Sequence, residues 1–593
     1  MTHPDKDDDV PRIPRAYGGI QVNFCKNPSC ANFGVEPLPK VSKGPQTATS
    51  ITDNYRISGA GKLLNSLACK LCGDIPSLKS NQAIYEEFSR ISAIHEETPI
   101  CCPHESCQNH HVPVTTGKSA YSSFGSSTGD SKRYLCKACK KTFSVKTKVT
   151  IRQRTPEINS AILRMLMNKV AMRRICEIGK INRAILYNRI PFFQKCANAL
   201  TAHYEKPLLD GRLQLNRLYL SSDRQGYLLN WTQREDRRNI SLNAIGTADN
   251  ASGYVFSMNL NFDPDCDADE IEAETIANND YTKPTAHRRH ARLWLRGDYK
   301  DAVTRSQKKL KKTSSDLSSD VELAYAAALE RDDIDRSEKL TLNEQLPGQG
   351  MQVHDEYTLT GHFFYLKKLL KHVEKVRFFV DQDSPMRAGV INGFQDWVKD
   401  RKADIFFVRV SKDLTTNDKR ALVKKSKDEI AQVQVDNPKL SISEVEIDLI
   451  KSKLNDLPSF GKWNDRWLIM PFPHMNEPQK AICHLTNFND YDADHLAHLY
   501  RKASLHGIDR FFMLIRRRIS LLERPISTSS SGRRTWNGYS SYNPAHVASI
   551  LDIFRTYYNY CIIGDGAKET AAMKIGLCDH RVTDEEFLSF FRH

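Results

Sequence analysis

Residues 375–384 read KVRFFVDQDS, an apolar run that ends in two aspartates. The unbroken stretch VRFFV is typical of a strand that is buried on both faces of a sheet. We therefore predict a strand that begins at Lys375 and delivers a carboxylate, Asp381, at its end. Asp383, two residues further on, is the fallback for the same role.

Segments on both sides of this strand extend the pattern. Alternating or continuous apolar residues predict three strands before it and one after it, and helical spacing predicts a helix on each side of it. The predicted strands are 213–223, 238–249, 253–263, 375–384 and 403–410, and the helices are 354–372 and 387–402. Three strands, helix, strand, helix, strand is the order of an RNase H-like core. We therefore expect an RNase H-like α/β catalytic domain over 212–560, with helical insertions at about 264–350 and 411–465.

This strand order predicts a role for the acidic residues. In such a core the middle of the first strand and the end of the fourth lie side by side, which would pair Asp223 with Asp381. Two carboxylates there, joined by one from a later helix, can hold two Mg²⁺ ions, which prefer hard oxygen ligands. The sequence therefore predicts a magnesium site for phosphoryl transfer.

The cysteines predict a different kind of metal site. The chain has 15 Cys, and their C-x4-C and C-x2-C pairs occur twice before residue 140. Four thiolates in two short knuckles are the ligand set of structural zinc. We predict one zinc in each of two ribbons, 21–80 and 98–148, after a disordered tail over 1–20. The ligands would be Cys25, Cys30, Cys69 and Cys72, then Cys102 (or the adjacent Cys101), Cys107, Cys136 and Cys139.

Basic and polar residues after the first ribbon favour nucleic-acid binding. The hairpin 132–143 is rich in Lys, Arg and aromatic residues, which suits contact with phosphates. Residues 155–200 resemble a helix-turn-helix, with a turn at Gly179 and a second helix that would enter the major groove. The predicted DNA contacts in these two segments are Lys132, Arg133, Lys140, Lys141, Arg183, Asn188 and Arg189.

Composition restricts the class of partner. The 593 residues carry 86 Lys and Arg against 71 Asp and Glu, a net charge of +15. A basic chain favours a polyanion, nucleic acid first and an anionic membrane second. Because no apolar run approaches the roughly 18 residues that span a bilayer, and no secretory signal opens the chain, we expect a cytoplasmic protein with no membrane partner.

Several motifs together resemble a family, the bacterial insertion-sequence transposases with an N-terminal zinc ribbon, a helix-turn-helix and an integrase-type DDE domain. The motifs are RYLCKACKKTF at 133–143, SSD at 221–223, VDQDS at 380–384 and HGIDRFFMLIRRRISLLERP at 506–525. A Tyr-rich run at 536–560 resembles the family's C-terminal helix. KETAAMKIGL, in the C-terminal tail 561–593, resembles its short terminal motif, with Ala571 where Pro is usual.

The resemblance implies the third acid. In this family it opens a helix, with a basic cluster about two turns later, and Asp509 precedes Arg516 and Arg517 in that register. The family usually has Glu there, so Glu523, interpreted as lying on the same helix, is the alternative. Arg516 and Arg517 would then contact DNA.

The function implied by this resemblance is Mg²⁺-dependent DNA cleavage and strand transfer. The expected partners are double-stranded DNA, as element ends and target, and further copies of the chain in a homodimer or higher oligomer. The expected location is the bacterial nucleoid. A non-catalytic zinc-ribbon DNA-binding regulator, or a nuclease without strand transfer, are the alternatives.

Overall fold

A computed structural model describes most of the chain, namely residues 11–40, 52–59, 64–96, 100–127, 131–145, 150, 153–231, 235–306, 321–322, 344–411, 414–436, 438–523 and 539–590. The chain divides into two compact units. Unit 1 draws on 1–91, 207–515 and 524–548, and unit 2 on 92–206, 516–523 and 549–593.

The first five strands of the described residues lie in the ribbons, and the others lie in the rest of unit 1. In chain order they are β1 Tyr55–Ser58, β2 Ser66–Cys69, β3 Tyr121–Ser127, β4 Ser131–Cys136, β5 Thr142–Val145, β6 Arg217–Leu229, β7 Ile240–Asp249, β8 Val255–Leu260, β9 Phe262–Asp263, β10 Met351–Gln352, β11 Lys375–Asp381, β12 Ala403–Val410, β13 Ser459–Phe460, β14 Asp465–Ile469 and β15 Lys480–His484.

The α-helices of the described residues lie between groups of these strands and after the last of them. They are α1 Asn81–Ser92, α2 Asn159–Leu166, α3 Met172–Ile178, α4 Arg183–Asp210, α5 Ala268–Ala277, α6 Arg296–Ser306, α7 Asp355–Leu369, α8 Ser384–Lys399, α9 Thr416–Asp436, α10 Ile442–Leu454, α11 Ala493–Lys502, α12 His506–Arg518, α13 Pro544–Cys561, α14 Ala571–Ile575 and α15 Asp584–Ser589. The predicted mixture of α and β structure is confirmed.

The largest sheet in the described part of unit 1 has eight strands in the order β13-β14-β15-β12-β11-β6-β7-β8. β11 runs parallel to both of its neighbours, β6 and β12. β7 pairs antiparallel with β6, and β15 pairs antiparallel with β12. Val376, Phe378, Phe379 and Val380 of β11 are fully buried, which accounts for the unbroken apolar run in the sequence.

Helices cover both faces of this sheet. Successive residues of a strand point to opposite sides, so neighbouring residues of β11 pack against different helices. On one face Phe378 packs against Phe363 of α7 and Phe394 of α8, with ring centroids 5.8 and 4.6 Å apart. On the other face Phe379 and Phe406 join a buried apolar cluster with residues of α9, α10 and α11. The sheet is therefore the middle of three layers.

The segment 411–465, predicted as an insertion, contains the helices α9 and α10. α10 begins with a capping box, in which Ser441 and Glu444 satisfy each other's backbone N–H groups. Ile430 of α9 and Val445 and Ile450 of α10 are buried in the apolar cluster beside the sheet. The insertion is therefore part of the layer on that face.

Unit 2 contains the second ribbon and a group of helices. α4 contacts α13 through Thr201 and Thr556, whose hydroxyl oxygens lie 2.9 Å apart. α2 contacts α15 through an ion pair between Arg164 and Asp584, at 2.6 Å. The predicted helix-turn-helix segment and the C-terminal tail therefore pack together.

Some expected boundaries differ from those of the structure. Ile13 and Ile20 are buried, each 4% exposed, so the disordered tail predicted for 1–20 is wrong for residues 11–20. Residues 516–523 and 549–560, expected in the catalytic domain, belong to unit 2. Within the predicted insertion 264–350, the structure describes α5 and α6, while 307–320 and 323–343 lie outside the described residues.

Candidate metal and nucleic-acid sites

Each ribbon brings four cysteine sulfurs together at a separation that suits zinc. Tetrahedral Zn²⁺ with Zn–S bonds of about 2.3 Å places its sulfur ligands about 3.8 Å apart. The ligand atoms of each cluster lie within 4.8 Å of one another. The sulfur–sulfur distances are 3.4 Å for Cys25–Cys72, 3.9 Å for Cys30–Cys69, 3.5 Å for Cys102–Cys139 and 3.6 Å for Cys107–Cys136. Each cluster could hold one zinc ion, and Cys102 rather than Cys101 belongs to the second.

The groups around the sulfurs repeat as well. The side-chain amide of Asn32 donates to Cys69 Sγ at 3.3 Å, and that of Asn109 donates to Cys136 Sγ at the same distance. The backbone N–H groups of Asn32 and Asn109 donate to Cys30 and Cys107 Sγ, each at 3.4 Å. Such bonds orient and stabilise thiolate ligands.

A buried tyrosine completes each ribbon. Tyr55 accepts a hydrogen bond from the backbone N–H of Cys25 at 3.1 Å and faces the carbonyls of Asn32 and Val35 at 3.0 and 2.8 Å. Tyr121 makes the equivalent three contacts in the second ribbon, with the N–H of Cys102 at 3.0 Å and the carbonyls of Asn109 and Val112 at 2.8 and 2.7 Å. The sequence reasoning missed both tyrosines, although each pairs across its hairpin with the third cysteine, Cys69 or Cys136.

Hydrogen bonding prepares one thiol of each ribbon for metal binding. Burial raises the pKa of Cys136, but the backbone N–H of Cys139 and the Asn109 amide outweigh it and lower the pKa to about 6. The pKa of Cys69 is also lowered, since the N–H of Cys72 and the Asn32 amide outweigh burial. Burial raises the pKa of Cys102 to about 12. Zinc binding would therefore release protons and weaken at low pH.

The first two predicted acids lie on adjacent parallel strands. Val380 of β11 is in register with Ser222 of β6, and the next residue along each strand is Asp381 and Asp223. In-register neighbours project from the same face of a sheet. Both side chains are half-buried. The structure therefore places these two carboxylates side by side on one face.

The third predicted acid lies on a helix that packs over the same place. Asp223 pairs directly with Gly246 of β7, and a Cβ atom at Gly246 would approach Ile508 Cδ1 to 2.6 Å. The backbone N–H of Ile508 donates to Ser221 Oγ at 3.0 Å. Gly246 therefore leaves room for the tip of the Ile508 side chain, which a Cβ atom there would displace, and Asp509 is the next residue of that helix. The first turn of α12 is therefore fixed against the strands that carry Asp223.

The opposite face of β6 carries an ion-pair network that the sequence did not reveal. Arg224, one residue after Asp223, points away from it. Its guanidinium forms an ion pair with Asp355 at the start of α7, at 2.8 Å, and a second one with Asp383 at the N-cap of α8. Asp383, the fallback for Asp381, is therefore engaged in this network. The network ties the turn after Asp381 to β6.

Glu523, the alternative third acid, does not lie on the helix of Asp509. α12 ends at Arg518 because Ile519 is extended, with φ −111° and ψ 110°. Glu523 follows a separate 3-10 turn, Ser520–Leu522, and pairs with Lys169 at 3.2 Å within unit 2. The interpretation of one continuous helix over 509–523 is wrong.

The basic residues of the second ribbon lie at its surface. Lys132, Lys140 and Lys141 are exposed. Arg133 is half-buried, donates to Thr142 Oγ1 at 3.0 Å and lies over the ring of Phe124. The hairpin β4–β5 therefore presents several cations to solvent.

The helical segment of unit 2 has the predicted turn but not all of the predicted contacts. α3 ends at Ile178 with Gly179 as its C-cap, and α4 begins at Arg183 and continues to Asp210. Arg183 and Asn188 are exposed, but Arg189 is 4% exposed and donates to the Arg154 carbonyl. Arg189 was predicted to contact DNA; because its guanidinium is buried, that assignment is wrong.

The two arginines predicted at the end of α12 differ in exposure. Arg517 is exposed, whereas Arg516 is half-buried and its carbonyl accepts a hydrogen bond from Lys169 Nζ at 2.8 Å. Arg517 is therefore the better placed of the two for contact with a polyanion.

Comparison of the chain with protein families, with curated proteins and with solved structures gave no match. Within the described residues, none of the helices has the length and apolar character to cross a membrane.

Proposed function

We propose that the chain is a DNA transposase whose RNase H-like domain cleaves and joins DNA strands with Mg²⁺. The observation that carries the proposal is the placement of Asp223 and Asp381 on one face of adjacent parallel strands, under the first turn of the helix that bears Asp509. Three carboxylates from these elements supply the hard oxygen ligands that Mg²⁺ needs.

The order of the strands supports the same proposal. β8, β7, β6, β11 and β12 are consecutive in the sheet, with β7 antiparallel to β6 and β11 and β12 parallel to it. This is the arrangement expected of an RNase H-like core, in which the first and fourth strands are neighbours.

In the proposed reaction the residues of the chain position DNA and metal. Asp223, Asp381 and Asp509 would hold Mg²⁺, and Arg224 would keep the turn after Asp381 against β6. When bound, Mg²⁺ would stabilise the charge that develops at the scissile phosphate. A water or a 3′-hydroxyl would attack that phosphate directly, without a covalent bond between protein and DNA.

DNA binding would rest on the exposed cations of unit 2 and on the net charge of +15. The exposed cations are Lys132, Lys140, Lys141, Arg183 and Arg517, and the exposed amide of Asn188 is a further candidate contact. Contacts to phosphates position the protein, and contacts to base edges from α4 would confer sequence preference. Concerted cutting of two DNA ends would require further copies of the chain.

The test is an assay of the purified full chain on a plasmid that carries its own coding sequence with flanking DNA. We expect Mg²⁺-dependent strand cleavage and joined products, both lost in Asp223→Asn by orders of magnitude and both retained in Asp400→Asn. Asp400 is exposed just after α8, so it matches the change of charge. Binding without cleavage would indicate the regulator, and cleavage without joining the nuclease; either result contradicts the proposal.

A further inference from the structure

Three potential metal ligands converge in unit 2, outside the ribbons and the acid site. They are the consecutive residues Cys578, Asp579 and His580, and their ligand atoms all lie within 4.8 Å of one another. Cys578 Sγ lies 3.8 Å from His580 Nδ1, and Asp579 Oδ1 lies 2.7 Å from the same nitrogen. A thiol, an imidazole and a carboxylate therefore face one point.

A second carboxylate fixes the orientation of the histidine. His580 Nε2 lies 3.0 Å from both carboxylate oxygens of Glu586, which also accepts a hydrogen bond from Tyr204 at 3.1 Å. Both ring nitrogens face carboxylates, Nδ1 that of Asp579 and Nε2 that of Glu586, so each donates a proton, and a metal bound at Nδ1 would displace the proton there. A carboxylate behind a ligand histidine is the usual second layer of a metal site.

The backbone of the turn is also held in place. The N–H of Val582 donates to the Tyr560 carbonyl at 3.1 Å, and the Arg581 guanidinium donates to the Cys561 carbonyl at 2.7 Å. Both acceptors lie at the end of α13. The three side chains therefore project from a turn that is anchored to a helix.

We propose that Cys578 Sγ, an Asp579 carboxylate oxygen and His580 Nδ1 bind a divalent transition metal of the zinc class. Zn–S bonds of about 2.3 Å and Zn–N bonds of about 2.0–2.1 Å in a tetrahedron place sulfur and nitrogen about 3.6 Å apart, close to the observed 3.8 Å. Asp579 Oδ1 and His580 Nδ1 lie at a hydrogen-bond distance of 2.7 Å, which would open to about 3.4 Å when both atoms bind the metal. Cys578, which donates to the His580 carbonyl at 3.0 Å, would lose its thiol proton on binding.

The site differs from the ribbons in its openness. Asp579 is 96% exposed and His580 50% exposed at the side chain, so the fourth position faces solvent. Zinc sites with three protein ligands keep an open fourth position, whereas structural sites are closed by four protein ligands. We therefore expect this metal to leave on mild chelation while the ribbons keep theirs.

The experiment is equilibrium dialysis of the full chain against Zn²⁺, followed by metal analysis. After mild chelation the protein should retain the ribbon zinc, and added Zn²⁺ should restore one further equivalent, because one more ligand cluster is present. His580→Gln and Cys578→Ser should each abolish that equivalent, and Asp579→Asn should lower its affinity at least tenfold. Asp565→Asn and Cys176→Ser, changes of the same kind outside the cluster, should leave it unchanged.

A spectroscopic measurement with Co²⁺ tests the same site without a buried substitution, which could disturb folding. Co²⁺ added to the mildly chelated protein should show a thiolate-to-metal band, which Asp579→Asn, a change at the surface, should weaken without unfolding the chain. The proposal is overturned if no further equivalent binds, or if it survives in both His580→Gln and Cys578→Ser.

Discussion

Tyr55 and Tyr121 show how single residues support the two ribbons. Each hydroxyl satisfies a backbone N–H of the first cysteine in its cluster and reaches two carbonyls of the following turn. Both rings are buried, 3% and 5% exposed. The hydroxyls therefore define the conformation of the knuckles that present the sulfurs.

We predict that Tyr121→Phe loosens zinc in the second ribbon. The change leaves a buried N–H and two carbonyls without their partner, which costs about 1–3 kcal/mol. Zinc release to a chelator should therefore become at least several times faster. Tyr134→Phe is the control in the same ribbon, because its ring packs against Phe143; an equal acceleration in both variants would contradict the role assigned to Tyr121.

His484 illustrates a residue whose protonation opposes folding. Its ring lies between Phe406 and Tyr491, and its two nitrogens find no hydrogen-bond partner among the described residues. Burial, and then the positive charges of Arg401 and Arg377, lower its pKa to about 3. Asp404, 4.0 Å from Nε2, is the opposing negative charge.

We predict that His484 makes unit 1 less stable in acid. Since the unfolded histidine takes up a proton below about pH 6.5 and the folded one does not, its contribution to stability falls as pH falls from about 6.5 towards 3. Between about pH 7.5 and 5 the loss amounts to about 2 kcal/mol relative to His484→Phe. Denaturant unfolding of both proteins at the two pH values measures it; a difference in free energy that is independent of pH would refute it.

At the residue scale, spacing in the sequence was enough to find the zinc ligands but not their supports. Thiolates at short fixed intervals are recognisable because the metal itself dictates the spacing. Tyr55 and Tyr121 lie 14 and 15 residues before the third cysteine of their clusters, a signal visible only once the hairpins are aligned. Arg224 gave no signal at all, since Asp355 and Asp383 are distant in sequence.

Among the elements, α4 separates surface from core within one turn of a helix. Arg183 and Asn188 are exposed, whereas the neighbouring Arg189 is buried and bonded to the Arg154 carbonyl. The sequence could not distinguish them, because a basic residue on a helix reads the same whether its guanidinium meets phosphate or a backbone carbonyl.

We predict that Arg183→Gln changes DNA binding, whereas Arg189→Gln changes the stability of the protein. Arg183→Gln should weaken DNA binding and relax sequence preference, with a loss of about 1–3 kcal/mol at a contacted base and an unchanged melting temperature. Arg189→Gln should lower the melting temperature with little direct effect on DNA affinity. Fluorescence anisotropy with duplex DNA and thermal melting test both; the reverse pattern would disprove the assignment.

Five of the eight strands of the largest sheet were predicted, four of them to within three residues, whereas β6 continues six residues beyond its predicted end at Asp223. β11, β12 and α7 follow the predicted segments because apolar periodicity records burial. The end of α12 was not predicted. The helix breaks at the extended backbone of Ile519, and no Gly or Pro beside this residue indicates the break in the sequence. Apolar periodicity did not predict the pairing of β13, β14 and β15, since strand order depends on tertiary contacts.

At the scale of the whole molecule, each compact unit contains one four-cysteine cluster. Cys25 to Cys72 lie in unit 1, and Cys102 to Cys139 in unit 2. The first ribbon contacts a helix that packs on the sheet of its unit, since Lys26 Nζ donates to Asn392 Oδ1 of α8. Losing one zinc should therefore affect one unit.

We predict that serine at both Cys136 and Cys139 removes one of the two chelation-resistant zinc ions. A structural zinc contributes directly to folding of so small a ribbon, so proteolysis should become faster within 98–148 and not within 21–80. Metal analysis and limited proteolysis measure this. The matched change, serine at Cys69 and Cys72, should sensitise the first ribbon instead. Sensitisation of both ribbons by either variant would contradict independent zinc sites, and sensitisation of neither would contradict the structural role of zinc.

The most direct test of the central claim is Mn²⁺ binding to the full chain followed by electron paramagnetic resonance, because Mn²⁺ takes the same oxygen ligands as Mg²⁺. If Asp223, Asp381 and Asp509 form one metal site, Asn at any of them should weaken Mn²⁺ binding at least tenfold, since each removes a charged ligand. Glu523→Gln, in unit 2, should leave binding unchanged. Mn²⁺ affinity that is unaffected by the three aspartate changes, or lost with Glu523→Gln, would contradict the account.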